Sequence, residues 1–267
     1  MIKIAAPLYI IREECTVDLF SVLEKLADLG FDGVEFLGLF GHDAASVRNK
    51  LDELHLSALG NHYPYALLDQ NPEQALAEHQ ILGCHYMTVS DFPENDLDAV
   101  AHRLEHLASL AAAYDIRLLY HNHAKELMCY QGDKTQLDVI METVSPEALA
   151  LEPDLGWIEI GGKKPADYLI RYRDRCPVIH LKDYYADGPV GHIQGHIPAR
   201  GDAAHGHFEF RPTGYGIVNM PALMPLCLAC DPQWFVVDHD LAYDRNSFDD
   251  LKLSLDYVKS LLTVHHW

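Results

Sequence analysis

Short apolar runs alternate with longer amphipathic ones along nearly the whole chain. Residues 3–10 read as a first strand. A helix follows in which Leu19, Val22, Leu23 and Leu26 recur at the helical period, with Thr16 as its cap and Gly30 as its stop. The same rhythm places strands at 33–37, 56–63, 86–90, 117–123, 149–154, 178–182 and 234–238. Between them lie helices at 45–54 and 72–82, then one carrying Leu97, Val100, Leu104, Leu107 and Leu110, and one around Leu137, Ile140 and Met141. Pro165 opens a further helix at its first turn, another spans 218–230, and Asn246 or Ser247 caps the last.

Eight strands alternating with eight helices predict an α/β chain folded as a single (β/α)8 TIM barrel over residues 1–267. The competing open, doubly wound sheet lacks its glycine-rich phosphate turn after strand one. One segment breaks the rhythm. Residues 184–216, after strand seven, are rich in Gly, His and Pro, and a loop of that length reads as an active-site lid or an insertion, with Arg200 a candidate to enter the site.

Strand five ends in Tyr120-His121-Asn122-His123, and alternation points both histidines to one face with Asn122 opposite. Alone, the pair reads either as ligands or acid–base groups or as hydrogen-bonded core histidines. Strand six places Glu152 and Asp154 on one face, strand seven His180 and Lys182, and strand eight Asp238 and Asp240, while strands two and three offer Glu35 and His62. Catalytic groups of a barrel gather at the carboxyl ends of its strands, and buried ionisable groups need partners that a divalent cation supplies together. A mixed oxygen and nitrogen donor set suits Mn, Mg, Co, Fe or Zn.

Composition narrows the partners. Asp plus Glu number 40 against 20 Lys plus Arg, a net charge of −20, which repels phosphate backbones and anionic membranes and leaves a small molecule as the expected partner. The start of the chain enters directly into strand one, with no signal-like stretch and no apolar run of membrane-spanning length, so a cytoplasmic location is expected. Six scattered cysteines fit reduced thiols. Cys227 and Cys230 form a C-x-x-C at helical phase without a matching pair at zinc spacing, which reads as buried thiols. Oligomeric state is open, a homo-oligomer included.

The chain resembles the xylose-isomerase-like barrel superfamily of sugar isomerases and epimerases, in its subgroup with a His-Asn-His-x-x-Glu motif. The carrying residues are Phe31-Asp32-Gly33-Val34-Glu35, Tyr120-His121-Asn122-His123 with Glu126, and Asp154-Leu155-Gly156-Trp157 with Gly161-Gly162. His180-Leu181-Lys182-Asp183, Gly214-Tyr215-Gly216-Ile217-Val218 and Val237-Asp238-His239-Asp240 complete the set. The resemblance implies one divalent metal held by His121, Asp154, His180 and Asp238. His121 and Asp238 each stand where Glu is usual, and His123 and Glu126 compete with His121 for the strand-five position.

The implied chemistry is proton transfer beside the carbonyl of a sugar, keto-sugar or polyol, through an enediolate. His123 would serve as base or acid, Lys182 would bind a hydroxyl or steady the oxyanion, and Glu35 would orient a hydroxyl. Substrate contacts fall to His62, Trp157, Glu126 and Arg200. Isomerase or epimerase is the main reading. A lyase or dehydratase, which expels a β-hydroxyl from the same enediolate, is the alternative within the fold, and a non-catalytic ligand-binding barrel is the alternative outside catalysis. An apurinic-site endonuclease shares the fold but needs a cationic face for DNA, which a charge of −20 opposes.

Overall fold

Eight parallel strands carry the fold in the computed structural model, which describes residues 2–93, 96–190, 193 and 207–264. The chain runs β1 (Lys3–Pro7), α1 (Arg12–Leu29), β2 (Gly33–Phe36), α2 (Ala44–Leu54), β3 (Ser57–Tyr63), α3 (Tyr65–Gln70), α4 (Pro72–Leu82) and β4 (Tyr86–Val89). It continues through α5 (Leu97–Ala112), β5 (Arg117–His121), β6 (Cys129–Gln131), β7 (Lys134–Thr135), α6 (Gln136–Thr143), β8 (Leu149–Glu152), α7 (Leu155–Ile160) and α8 (Pro165–Arg171). It closes with β9 (Val178–His180), β10 (Asp183–Ala186), β11 (Phe208–Arg211), α9 (Met220–Ala229), β12 (Trp234–Val236) and α10 (Ser247–Val264).

The eight predicted strands are β1, β2, β3, β4, β5, β8, β9 and β12, paired in the order β8-β5-β4-β3-β2-β1-β12-β9. An isolated parallel bridge between Asp154 and His180 joins the two ends, and the His180 amide donates to Pro153 O at 3.0 Å. The barrel therefore closes at its carboxyl end through two of the predicted ligands. No described helix is long and apolar enough to cross a membrane.

Strand alternation divides the apolar residues into two cores. Outward-facing residues such as Val34, Leu118, Leu151 and Ile179 pack against the helices. Inward-facing Ala5, Leu59, Tyr86, Leu119, Ala150, Val178, Trp234 and Val236 fill the lower barrel. Gly33 is required there, because a Cβ would meet the Trp234 ring at 2.8 Å.

Three local features differ from the expectations. Thr16 does not cap α1: its hydroxyl donates to Arg12 O at 2.9 Å, inside the helix. The helix instead breaks at Asp18 (φ −158°, ψ 89°), whose carboxylate accepts from the Ser21 amide at 3.1 Å and caps the amphipathic part. The long segment after strand seven is not irregular throughout, because β10 and β11 pair antiparallel from Asp183↔Arg211 to Ala186↔Phe208. Its Arg200 lies outside the described residues. Finally, the pairing of β2 with β3 slips between Val34↔Ala58 and Glu35↔Gly60, leaving Leu59 as an extra residue. This bulge changes the phase of β3, so that Leu59 and His62 both face the interior. Asn246 caps α10 as expected, accepting from the Phe248 amide at 2.9 Å, and Cys227 and Cys230 are buried free thiols.

Candidate active site

The inward phase that carries apolar residues low in the barrel carries ionisable ones above them. On β5 Leu119 is followed by His121, on β8 Ala150 by Glu152 and then Asp154, on β9 Val178 by His180 and then Lys182, and beyond β12 Val236 by Asp238 and Asp240. These groups surround the floor of a pocket of about 140 Å³, far beyond the ~10–15 Å³ that one water occupies. Its wall is apolar at Pro7, Phe36, Leu37 and Trp157, and polar at Glu35, His62, His121, His123, His180, Asp238 and Asp240.

Glu152 sits at the centre of the floor. Its Oε1 lies 3.0 Å from His62 Nε2 and 3.1 Å from both His121 Nδ1 and His180 Nε2, and its Oε2 accepts from Thr88 Oγ1 at 2.9 Å. Glu35 reaches His62 and His180, each at 3.2 Å, while His180 Nδ1 meets Asp238 Oδ2 at 3.0 Å. Two quartets of donors each lie within 4.8 Å of one another: His62, His121, Glu152 and His180, and His121, Asp154, His180 and Asp238. The second is the set implied by resemblance. His121 and His180 belong to both.

Electrostatics divide the four imidazoles. Burial disfavours charge on His62, but Glu35 and Glu152 outweigh it and push the ring up to about 10. His180 is likewise raised well above the ordinary value despite burial, by Glu35, Glu152 and its bond to Asp238. His121 is lowered to about 4 by burial and the repulsion of His180. His123 is lowered well below the ordinary value by burial, His121 and Lys182. These neighbours favour the charged form of His62 and His180 and the neutral form of His121 and His123.

Lys182 does not line the pocket. It is fully buried, 2.8 Å from Asp238 and Asp240 and 3.3 Å from Asp154, with its ammonium over the rings of Phe210 at 5.4 Å and Trp157 at 5.7 Å. Neither Asp183, next to it in the chain, nor Glu152 is among these partners. Asp183 instead accepts four backbone amides, of Tyr184, Gly214, Gly216 and Val218, at 2.8 to 3.0 Å, and so fixes the Gly-Tyr-Gly-Ile-Val turn. A Cβ on Gly216 would come within 2.2 Å of Asp183 Oδ1.

Glu126 is also placed away from the pocket lining. It accepts from Tyr120 Oη at 3.0 Å and from the His123 amide at 2.9 Å, which makes it the pin of the turn that presents His123. Asn122 points opposite to the histidines, as alternation required, and its Oδ1 accepts the Asp154 amide at 3.1 Å. Half-buried His123 packs edge-on against His121 and near Trp157, with ring centroids 5.2 and 5.6 Å away.

Reasoning from sequence overlooked Tyr9 and Ser90 in the lining, and assigned Glu152 no metal role. Glu152 was visible in strand phase with Asp154. Tyr9 and Ser90 follow the ends of β1 and β4, where alternation no longer predicts direction.

The xylose isomerase-like TIM barrel family matches residues 23–261 of this chain. An inosose dehydratase of Geobacillus kaustophilus is 25% identical over 277 residues, covering 92% of this chain and 87% of that protein. A probable 3-DHS dehydratase, AsbF, from Bacillus anthracis superimposes with a TM-score of 0.75 at 15% identity, over 97% of this chain and 99% of the other. The structure of an IolI protein with a binding zinc atom gives a TM-score of 0.74 at 14% identity, covering 98% of both chains. A sugar phosphate isomerase/epimerase from Parabacteroides distasonis gives 0.74 at 18%, covering 96% of this chain and 93% of the other.

Proposed function

Because the chain belongs to the xylose isomerase-like TIM barrel family, we propose that it is a divalent-metal-dependent dehydratase acting on a keto-polyol or keto-sugar of the inosose type. The isomerase or epimerase reading gives way to its lyase alternative, which the relative matched over 92% of the chain favours. The observation that carries the proposal is the neutral, half-buried His123 at the rim of a pocket whose floor holds two overlapping metal-type quartets.

The donor set fits a divalent cation. Asp154 Oδ2 is buried with no hydrogen-bond donor among the described residues, its nearest cation being the Lys182 ammonium at 3.3 Å. Five buried carboxylates, of Glu35, Glu152, Asp154, Asp238 and Asp240, gather around the floor, where only the last three reach that ammonium. His121 and His180 would hold the ion in either quartet, together with Asp154 and Asp238 or with His62 and Glu152. When bound, it supplies Lewis-acid polarisation of the substrate's carbonyl and hydroxyl oxygens.

The chain's own residues do the rest. Trp157, Phe36, Leu37 and Pro7 accept the apolar face of a polyol ring. His123, held by its neighbours in the neutral form, takes the proton from the carbon beside the carbonyl. Lys182 stays behind the wall, where it balances Asp154, Asp238 and Asp240 and fixes their positions.

The test is the Mn²⁺-loaded protein with an inosose in D₂O. Deuterium should enter the carbon beside the carbonyl, and an unsaturated product should accumulate as ultraviolet absorbance. Stereoisomerised ketose without an unsaturated product would return the site to the isomerase reading.

A further inference from the structure

Elimination needs two proton transfers, and the residues above account for one. A hydroxyl expelled without a proton leaves as hydroxide, so a donor must face the leaving oxygen. Such a donor has to line the pocket, carry a proton at neutral pH, and not already be spending that proton on a neighbour. His62 and His180 fail the last condition, lying 3.0 to 3.2 Å from Glu35 and Glu152. Lys182 fails the first, His121 belongs to both metal quartets, and His123 is already assigned as the base.

Tyr9 meets all three. It lines the pocket beside Asp240, is half-buried, and its hydroxyl makes no hydrogen bond to another described residue. A phenol keeps its proton at neutral pH, its ordinary pKa being ~10. The side chain is also held in place. The Arg12 guanidinium lies 4.4 Å over the Tyr9 ring and donates to Tyr9 O at 2.7 Å and to Asp240 O at 3.4 Å. Arg12 thus clasps the turn after β1 to the turn after β12, and Tyr9 and Asp240 reach the pocket as one unit.

We propose that Tyr9 is the acid of the reaction, donating its phenolic proton to the departing hydroxyl, with Arg12 as the positioning residue that aims it. This rests on the elimination reading above. His123 takes the proton from the carbon beside the carbonyl, and the C–H electron pair becomes the new C=C π bond as charge spreads into the carbonyl. The C–O bond of the neighbouring carbon then breaks, and the oxygen leaves with the Tyr9 proton as water. The phenolate recovers a proton from solvent as His123 releases the one it took, so no oxidant or reductant is needed.

The two half-reactions can be read separately in the Mn²⁺-loaded enzyme with an inosose in D₂O. Exchange at the carbon beside the carbonyl reports His123, and release of unsaturated product reports the acid. Tyr9→Phe keeps the ring under Arg12 and should keep exchange within a few-fold while slowing product release by ~10²–10⁴-fold. Arg12→Gln should slow product release less, about tenfold, and Arg12→Lys should recover part of that loss. Equal loss of both readouts in Tyr9→Phe, or full retention of both, overturns the role of Tyr9 and leaves the elimination reading standing. A wild-type enzyme that exchanges but forms no unsaturated product overturns both.

Discussion

The lower and upper halves of the barrel interior are built from the same strands in the same phase, yet they are held in different ways. Below, Ala5, Leu59, Leu119, Ala150, Val178, Trp234 and Val236 pack as an apolar plug. Above, the next inward positions are His121, Glu152, His180 and Asp238, in contact with one another at 3.0 to 3.1 Å. Apolar packing is non-directional and answers to volume, so a change in the plug acts through the cavity it leaves. The upper layer answers to charge, since each group's protonation depends on its neighbours, and removing one leaves buried charge unmatched. Stability therefore belongs to one half and chemistry to the other, a division that substitutions can break.

The largest effect is expected from His180, common to both quartets and the anchor of barrel closure. His180→Ala should abolish turnover and weaken Mn²⁺ binding by more than the ~10–100-fold typical of losing an outer-shell partner. Equilibrium dialysis against Mn²⁺ checks this, and unchanged affinity would falsify the placement of the metal. His123→Ala should keep the metal and lose ~10²–10⁴ in the rate of deuterium exchange. A variant that exchanges at the wild-type rate would move the base elsewhere. In the lower half Leu119→Ala, fully buried in the plug, should cost ~2–5 kcal/mol in urea unfolding. The folded fraction should bind Mn²⁺ with unchanged affinity. A large loss of affinity there would mean that the two layers are coupled.

The sequence made the strands and the inward phase of most of them legible, because apolar runs with period two survive in β5, β8, β9 and β12 up to the point where the ionisable residues begin. His121, Asp154, His180 and Asp238 accordingly form one of the two quartets. His62 was named as a substrate contact and not as a possible ligand, and the bulge at Leu59 that sets its inward phase leaves no mark in the hydrophobic pattern. The partners of Lys182 come from the turns beyond β8 and β12, at sequence distances that strand phase does not address. The β10–β11 ribbon was missed although Phe208 and Phe210 alternate, since each strand is only four residues long within a stretch rich in Gly and Pro. Tyr9 lay beyond reach for the same reason as Ser90: its direction is set by the turn that Arg12 clasps, not by strand alternation.

Histidine offers a smaller and sharper test of the division. His79, on α4 outside the barrel, is as buried as His180 but pairs with no carboxylate among the described residues, and its Nδ1 contacts Ala75 O at 2.9 Å. Burial lowers it to about 4, where His62 between two carboxylates is pushed up to about 10. With a folded value below the unfolded one of ~6.5, the unfolded chain binds the extra proton between pH 6.5 and 4. The contribution of His79 to stability is therefore complete above pH 6.5 and falls as the pH is lowered. From pH 6.5 to 4.5 the loss is about 2–3 kcal/mol. His79→Phe removes this titration, so its unfolding free energy, measured against wild type at the two pH values, should fall by that much less on acidification. Equal acid sensitivity in the two proteins would mean that His79 takes up its proton without unfolding, and that burial alone does not keep a histidine of this barrel neutral.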